Sequence, residues 1–267
     1  MHPEVLHWGF LHIRSYGVML AIAFLVGTWI ALADARARHL DEDRLIGVIL
    51  TALIAGVIGA RMLYVMEHLE EFRHAWGSLL ALWQGGLTLY GGVIAGTAAG
   101  LIAARRAGLP MWIVADTLTP SLALGTAFGR VGCFLNGCCY GRPTKLPWGV
   151  VFPPDSFAGL EFGSLPVHPS QLYAALTGLV LFLAAWAVRR RVAPPGTLFW
   201  GFIASFALIR IPLDFTRAYE VESRVLELGG VTITESQLTS VALALFASLM
   251  IVRLRRAPVA SAPARLA

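Results

Sequence analysis

Charge is what this chain has least of. Only 14% of its 267 residues are Asp, Glu, Lys or Arg, while 57% are hydrophobic; an ordinary soluble domain runs at roughly 25% and 45–50%. With a mean hydropathy of +0.69, the composition excludes both a soluble globular domain and a disordered chain. Cysteine is scarce as well, and three in the whole chain exclude a disulfide-stapled secreted module. The first ten residues, MHPEVLHWGF, lack the basic start and small-residue cleavage site of a signal peptide, so the first apolar run is expected to stay in place. The histidines His2, His7, His12, His39, His68 and His74 show no metal-ligand spacing. A net charge of +5 does not make a nucleic-acid binder, because the basic residues form short groups between apolar runs, with no basic face. What is there is a set of long apolar runs, the mark of a chain that crosses a membrane several times.

Runs long enough to span hydrocarbon, roughly 17–25 residues, are Tyr16–Ala33, Leu45–Met66, Leu87–Ala104, Met111–Phe128, Leu172–Val188, Thr197–Leu213 and Ser236–Val252. The expected fold class is therefore all-α: a polytopic helical bundle of about seven transmembrane helices. Twelve of the 21 lysines and arginines fall on the side of Arg36, Arg105, Arg189 and Arg253, against seven on the other side. The positive-inside rule makes the richer side cytoplasmic, with the N-terminus outside and the C-terminus inside. Residues 1–256 read as a single domain with no internal repeat, and the Ala/Pro/Arg-rich tail 257–267 as a disordered cytoplasmic end. The long connections, 67–86, 129–171 and 214–235, all face outward, and long loops in compact folds are usually functional.

Ionisable residues inside a span mark function by default. Arg61 and Arg210 lie a turn or more inside apolar runs, toward the outer ends of the second and sixth spans. Asp214 follows Arg210 at i+4, a spacing that pairs the two on one helix face, and Arg217 comes one turn later. Tyr16, Tyr90, Arg130 and His168 also fall at outer span ends. Snorkelling arginines and an aromatic belt account for residues at the very ends. Arginines converging below the headgroups instead suit a phosphate, whose oxygens the guanidinium fork pairs bidentately. The run GRVGCFLNGCCYG from Gly129 to Gly141, which includes Asn136, interrupts an apolar helix. Irregular backbone at that depth must be buried in protein or line a polar cavity. A second pointer is HPSQLY, His168–Tyr173, in which Pro169 and Ser170 open the fifth span.

Taken in order, these runs resemble the bacterial prolipoprotein diacylglyceryl transferases. The similarity is carried by SYGVML at Ser15–Leu20, GARMLYV at Gly59–Val65 and GGLTLYGGVIAG at Gly85–Gly96. It continues through GRVGCFLNGCCYGR at Gly129–Arg142, HPSQLY, and RIPLDFTR at Arg210–Arg217. The resemblance implies transfer of the diacylglyceryl group of phosphatidylglycerol to the lipobox cysteine thiol of prolipoproteins, with a thioether formed and glycerol phosphate released. It implies residence in the bacterial cytoplasmic membrane with the active site toward the periplasm. Its partners would be phosphatidylglycerol, prolipoprotein signal peptides and membrane lipids, with no nucleic acid, no metal and no organic cofactor. By motif position, Arg130 and Arg210 handle phosphate and Tyr90 completes the catalytic set. Tyr16, Arg61, Asn136, Gly141, His168, Ser170, Asp214 and Arg217 form the substrate-binding set.

The chain departs from the family where Tyr90 stands for a histidine, Cys133 and Cys138 for Asn and Glu, Phe206 for Tyr, and Asp214 for Glu. Tyrosine titrates near 10 and is a poor base for a thiol unless perturbed, so the base is unassigned. Two other readings therefore stand beside the transferase: a catalytically altered paralogue that binds lipid or lipoprotein, and a cysteine-based redox membrane protein. Cys133, Cys138 and Cys139 match no standard zinc pattern and lack a fourth ligand. They read as a Cys133–Cys138 disulfide with a spare thiol, as small apolar packing residues, or as a thiol activated by Arg130.

Overall fold

The computed structural model describes residues 4–8, 11–72, 77, 85–218, 224–228 and 231–256. The tail 257–267, His2, His74 and parts of the 67–86 and 214–235 connections lie outside them. The chain opens with a hairpin of β1 (Glu4–Trp8) and β2 (Leu11–Arg14), which runs directly into α1 (Ser15–Ala37). There follow α2 (Glu42–Glu67), the one-turn α3 (Leu69–Phe72), α4 (Leu89–Arg106), α5 (Met111–Asn136), the short α6 (Phe157–Phe162), α7 (Ser170–Val188) and α8 (Thr197–Asp214). A second hairpin of β3 (Arg224–Leu228) and β4 (Val231–Thr234) runs into α9 (Glu235–Arg256).

The seven long helices coincide with the seven expected spans. Six are long and apolar enough to cross a membrane; the seventh, α4, has 18 residues and ends in Arg105 and Arg106. The protein is a multi-pass, all-α membrane bundle whose outer surface is Leu, Ile, Val and Trp, as a lipid solvent requires. Its helices pack pairwise, α2 on α4, α1 on α5, α5 on α7 and α8 on α9. The α2–α4 seam is made of glycine. A Cβ on Gly59 would fall 2.6 Å from the Gly91 carbonyl oxygen, and one on Gly91 would fall 2.7 Å from the Leu63 Cβ. The helices can approach this closely only because both residues lack a side chain.

Two expectations are corrected. The fourth span does not break at Gly129: α5 stays helical through Gly129 and Gly132 and stops at Asn136, where Gly137 turns left-handed with φ +71°. Glycine weakens a helix without forbidding it, and the end is set by the residue that takes the left-handed cap. The reading of no internal repeat is corrected too, since the two hairpin segments share V-L-x-x-G-x-x-x-I at Val5–Ile13 and Val225–Ile233. The two hairpins have the same strand lengths, the same register slip one residue into the first strand, and the same direct passage into a helix.

One end of the bundle gathers the basic helix ends. Arg38 Nε donates to Asp34 Oδ2 at 2.6 Å and Arg189 Nε to Oδ1 at 3.1 Å, tying α1 to α7. Asp116 accepts the amides of Gly196 and Phe199 at 2.8 and 2.9 Å and so caps α8 from the first turns of α5. Arg44 Nη1 donates to the Ala107 carbonyl at 2.9 Å, joining α2 to the end of α4. These ends lie on the side where the count of charges leads one to expect the cytoplasm.

Candidate functional site

At the opposite end, three groups of the expected site residues assemble. The first is built on the turn that ends α5. Gly137 and Cys139 are both left-handed, at φ +71° and +60°, so the chain doubles back immediately after the helix. The Sγ atoms of Cys133, Cys138 and Cys139 then lie within 4.8 Å of one another. A left-handed non-glycine residue costs of order 1–3 kcal/mol and persists only where its surroundings impose it. Here buried Gln171 does so, its Nε2 donating to the Cys138 carbonyl at 2.9 Å. The amide of Cys138 returns to the Cys133 carbonyl at 3.1 Å, and Asn136, the last residue of α5, stands directly before the turn.

Tyr16, in the first turn of α1, packs on Gly132, where a Cβ would sit 3.0 Å from its ring. Arg130, two residues earlier on α5, is half-buried. It makes no hydrogen bond or ion pair among the described residues, while its charge reaches Cys139. Hydrogen bonds from the thiols of Cys133 and Cys138 hold the Cys139 thiol well below the usual range; burial opposes this, and the guanidinium charges of Arg217 and Arg130 reinforce it. The expected thiol beside Arg130 is thus Cys139. All three thiols are free.

The second group fixes the first to α8. Gly141 pairs with Arg217 as an isolated antiparallel bridge and donates its amide to the His168 carbonyl at 3.0 Å. A Cβ there would fall 2.5 Å from both His168 and the Ser170 hydroxyl, which is why only glycine fits. Ser170 Oγ bonds the Thr216 hydroxyl at 2.9 Å, and Arg142 Nε donates to the Arg217 carbonyl at 2.9 Å. His168 Nδ1 faces the Tyr173 hydroxyl at 3.3 Å. Gly141, His168 and Ser170 are brought together as the frame of the site. The α8 helix ends at Asp214, so Arg217 comes by a turn, not by a further helical turn.

The third group is the predicted pair. Arg210 Nη2 lies 3.3 Å from Asp214 Oδ1 and Arg210 Nε donates to Ser236 Oγ at 3.2 Å. The second carboxylate oxygen takes a hydrogen bond from the Thr234 hydroxyl. Thr234 also opens α9, accepting the Gln237 amide at 3.2 Å while Gln237 Oε1 accepts the Thr234 amide at 3.1 Å. Thr234 and Gln237 are missed by a search for charges, yet T-x-x-Q before an apolar run is a legible capping-box signal.

Arg61 and Tyr90 stand apart from these groups. Arg61 is 8% exposed, and its Nη1 donates to the carbonyls of Gly85 and Gly86 at 2.8 and 2.9 Å. It lies over the rings of Tyr64 and Phe72, so it secures the turn leading to α4. Tyr90 is in the first turn of α4 and 73% exposed, with no hydrogen bond among the described residues.

The sequence pattern of the prolipoprotein diacylglyceryl transferase family matches residues 3–253. A phosphatidylglycerol–prolipoprotein diacylglyceryl transferase of Geobacter sulfurreducens is 36% identical over 80% of this chain and 82% of its own length. Enzymes of the same name from Trichormus variabilis and Nitratidesulfovibrio vulgaris are 32% and 34% identical, each over 86% of both chains.

Proposed function

The chain belongs to the prolipoprotein diacylglyceryl transferase family, and from that premise we propose that it moves diacylglycerol from phosphatidylglycerol to the lipobox cysteine of prolipoprotein signal peptides. The protein is a transferase that works in the bacterial cytoplasmic membrane with the Arg130 end of the bundle toward the periplasm. The observation that carries the reading is Arg130 itself, a half-buried guanidinium with no partner among the described residues. A cation in that state, inside an apolar bundle, suits an anionic ligand in the way a paired one does not.

The reaction is attack of a thiolate on the glyceryl carbon that carries the phosphate. The S–C bond forms, the C–O bond breaks, and the electron pair leaves on glycerol phosphate. Arg130 pairs the phosphate oxygens and stabilises the charge that develops on the leaving group. Arg210, held at its set position by Asp214 and Ser236, supplies a second guanidinium and orients the headgroup. Tyr16 lines the approach beside Gly132. Gly141, His168 and Ser170 hold the frame, and Asn136 steadies the cysteine turn. Arg217 and Arg61 keep the adjoining loops in register, and Tyr90, at the mouth, meets the headgroup.

The test is transfer of labelled lipid from phosphatidylglycerol vesicles to a signal peptide carrying a lipobox cysteine, by purified protein. The expected result is a thioether-linked lipopeptide, with none formed when the peptide cysteine is serine. No transfer where a related enzyme works under the same conditions sinks the reading, as does failure to complement a strain depleted of its own transferase.

A further inference from the structure

Three thiols that face one another at the site have no part in the reaction as written. We infer that Cys133, Cys138 and Cys139 bind one thiophilic divalent cation, zinc in the first place, whose open fourth position takes the acceptor cysteine thiol. The inference rests on the proposed transferase reading and adds the missing base to it.

The geometry carries the site. Zinc–sulfur bonds of about 2.3 Å in a tetrahedron place sulfurs about 3.8 Å apart. The three Sγ atoms already lie within 4.8 Å of one another, so side-chain rotation of less than an ångström closes the set. A disulfide needs two sulfurs at about 2.05 Å and uses only two of the three. The turn is also held in place for convergence: the left-handed Gly137 and Cys139 flank Cys138, and the buried Gln171 amide pins its carbonyl. Arg130 and Arg217, whose charges reach Cys139, balance the negative charge that three thiolates leave after one divalent cation. All three cysteines are only partly buried, which leaves one side of the cluster open.

Among the described residues no fourth protein ligand joins the three thiols, which counts against a structural zinc site and in favour of a catalytic one that keeps a position for substrate. A thiol bound to such a cation is deprotonated outright. The acceptor thiol would bind as the fourth ligand and release its proton to water. Its sulfur lone pair then forms the S–C bond as the C–O bond to the phosphate breaks, and the product thioether, a neutral and weaker ligand, leaves the cation. No histidine or tyrosine base is required, which accounts for Tyr90 at 73% exposure in the place of the family's histidine.

The experiment uses the full chain purified in detergent under reducing conditions. Elemental analysis is expected to find about one zinc per chain, and near none in Cys133→Ser and Cys139→Ser variants that match the wild type in thermal unfolding. Cobalt exchanged for zinc should show thiolate charge-transfer absorption that changes when lipobox-cysteine peptide is added, and not with its serine counterpart. Removal of zinc should lower transfer on the order of 10²–10⁴-fold, the range a positioned base contributes, with recovery on re-addition. Zinc no higher than in the variants, or full transfer by metal-free protein, overturns the inference and leaves the transferase reading standing. A zinc-loaded protein whose cobalt spectrum answers the peptide but which transfers no lipid sinks the transferase reading and leaves the metal site.

Discussion

The two ends of the bundle treat buried charge in opposite ways. At the Asp34 end both buried carboxylates are matched: Asp34 takes two guanidiniums and Asp116 two backbone amides. At the Arg130 end there is surplus positive charge, with Arg130 unpaired among the described residues beside three converging thiols. A matched buried ion holds helices in place and is costly to break, whereas an unmatched one is costly until a ligand arrives. The first end has the pattern of a structural ion cluster, and the second that of the anion site proposed above.

Mutations at the two ends should separate these roles. The largest effect is expected from Asp34→Ala, which strands Arg38 and Arg189 and should lower stability by about 3–5 kcal/mol, read as a shift in denaturant unfolding, with activity per folded molecule preserved. If activity per folded molecule fell instead, the division of labour would be wrong. Arg130→Ala should do the reverse: transfer falls about 10²–10³-fold, the usual effect of removing one donor to a developing anion, and the unfolding midpoint stays put. A destabilised Arg130→Ala protein would place that residue among the structural ions.

Asp116→Ala leaves the Gly196 and Phe199 amides buried without an acceptor, and a loss of about 1–3 kcal/mol is expected. Unchanged stability would mean that the α8 start is held by other contacts. The smallest effect belongs to Tyr90→Phe. With its hydroxyl exposed and without a described partner, at most one neutral hydrogen bond to substrate is lost, about 0.5–1.5 kcal/mol or up to roughly tenfold in transfer. A loss beyond 100-fold would restore tyrosine as the base and count against the cysteine site.

Much of this was legible without coordinates. The seven apolar runs become the seven long helices within a few residues, and the i, i+4 spacing of Arg210 and Asp214 becomes a 3.3 Å ion pair. Of the residues gathered by motif order, Gly141, His168, Ser170 and Arg217 share one frame, while Arg61 and Tyr90 stand apart from it. The sequence reads as a helix that ends before Gly129, because glycine usually punctuates helices. In the fold Gly132 is inside the helix to let Tyr16 approach, and a close approach between helices has no local signature. The pairing of Asp34 has no signal in the sequence, since its second partner, Arg189, is 155 residues away.

Composition and spacing by themselves determined that the chain spans a membrane as a helical bundle and which family it resembles. Lipid as solvent leaves few ways to satisfy a backbone, and those ways are written in runs of about twenty residues. Only the tertiary structure decided which charges are matched and which stay open, and that three cysteines at C-x4-C-C spacing meet at one point. Pairing and convergence depend on helix contacts and on two left-handed residues in one turn, and neither follows from the order of residues along a single helix.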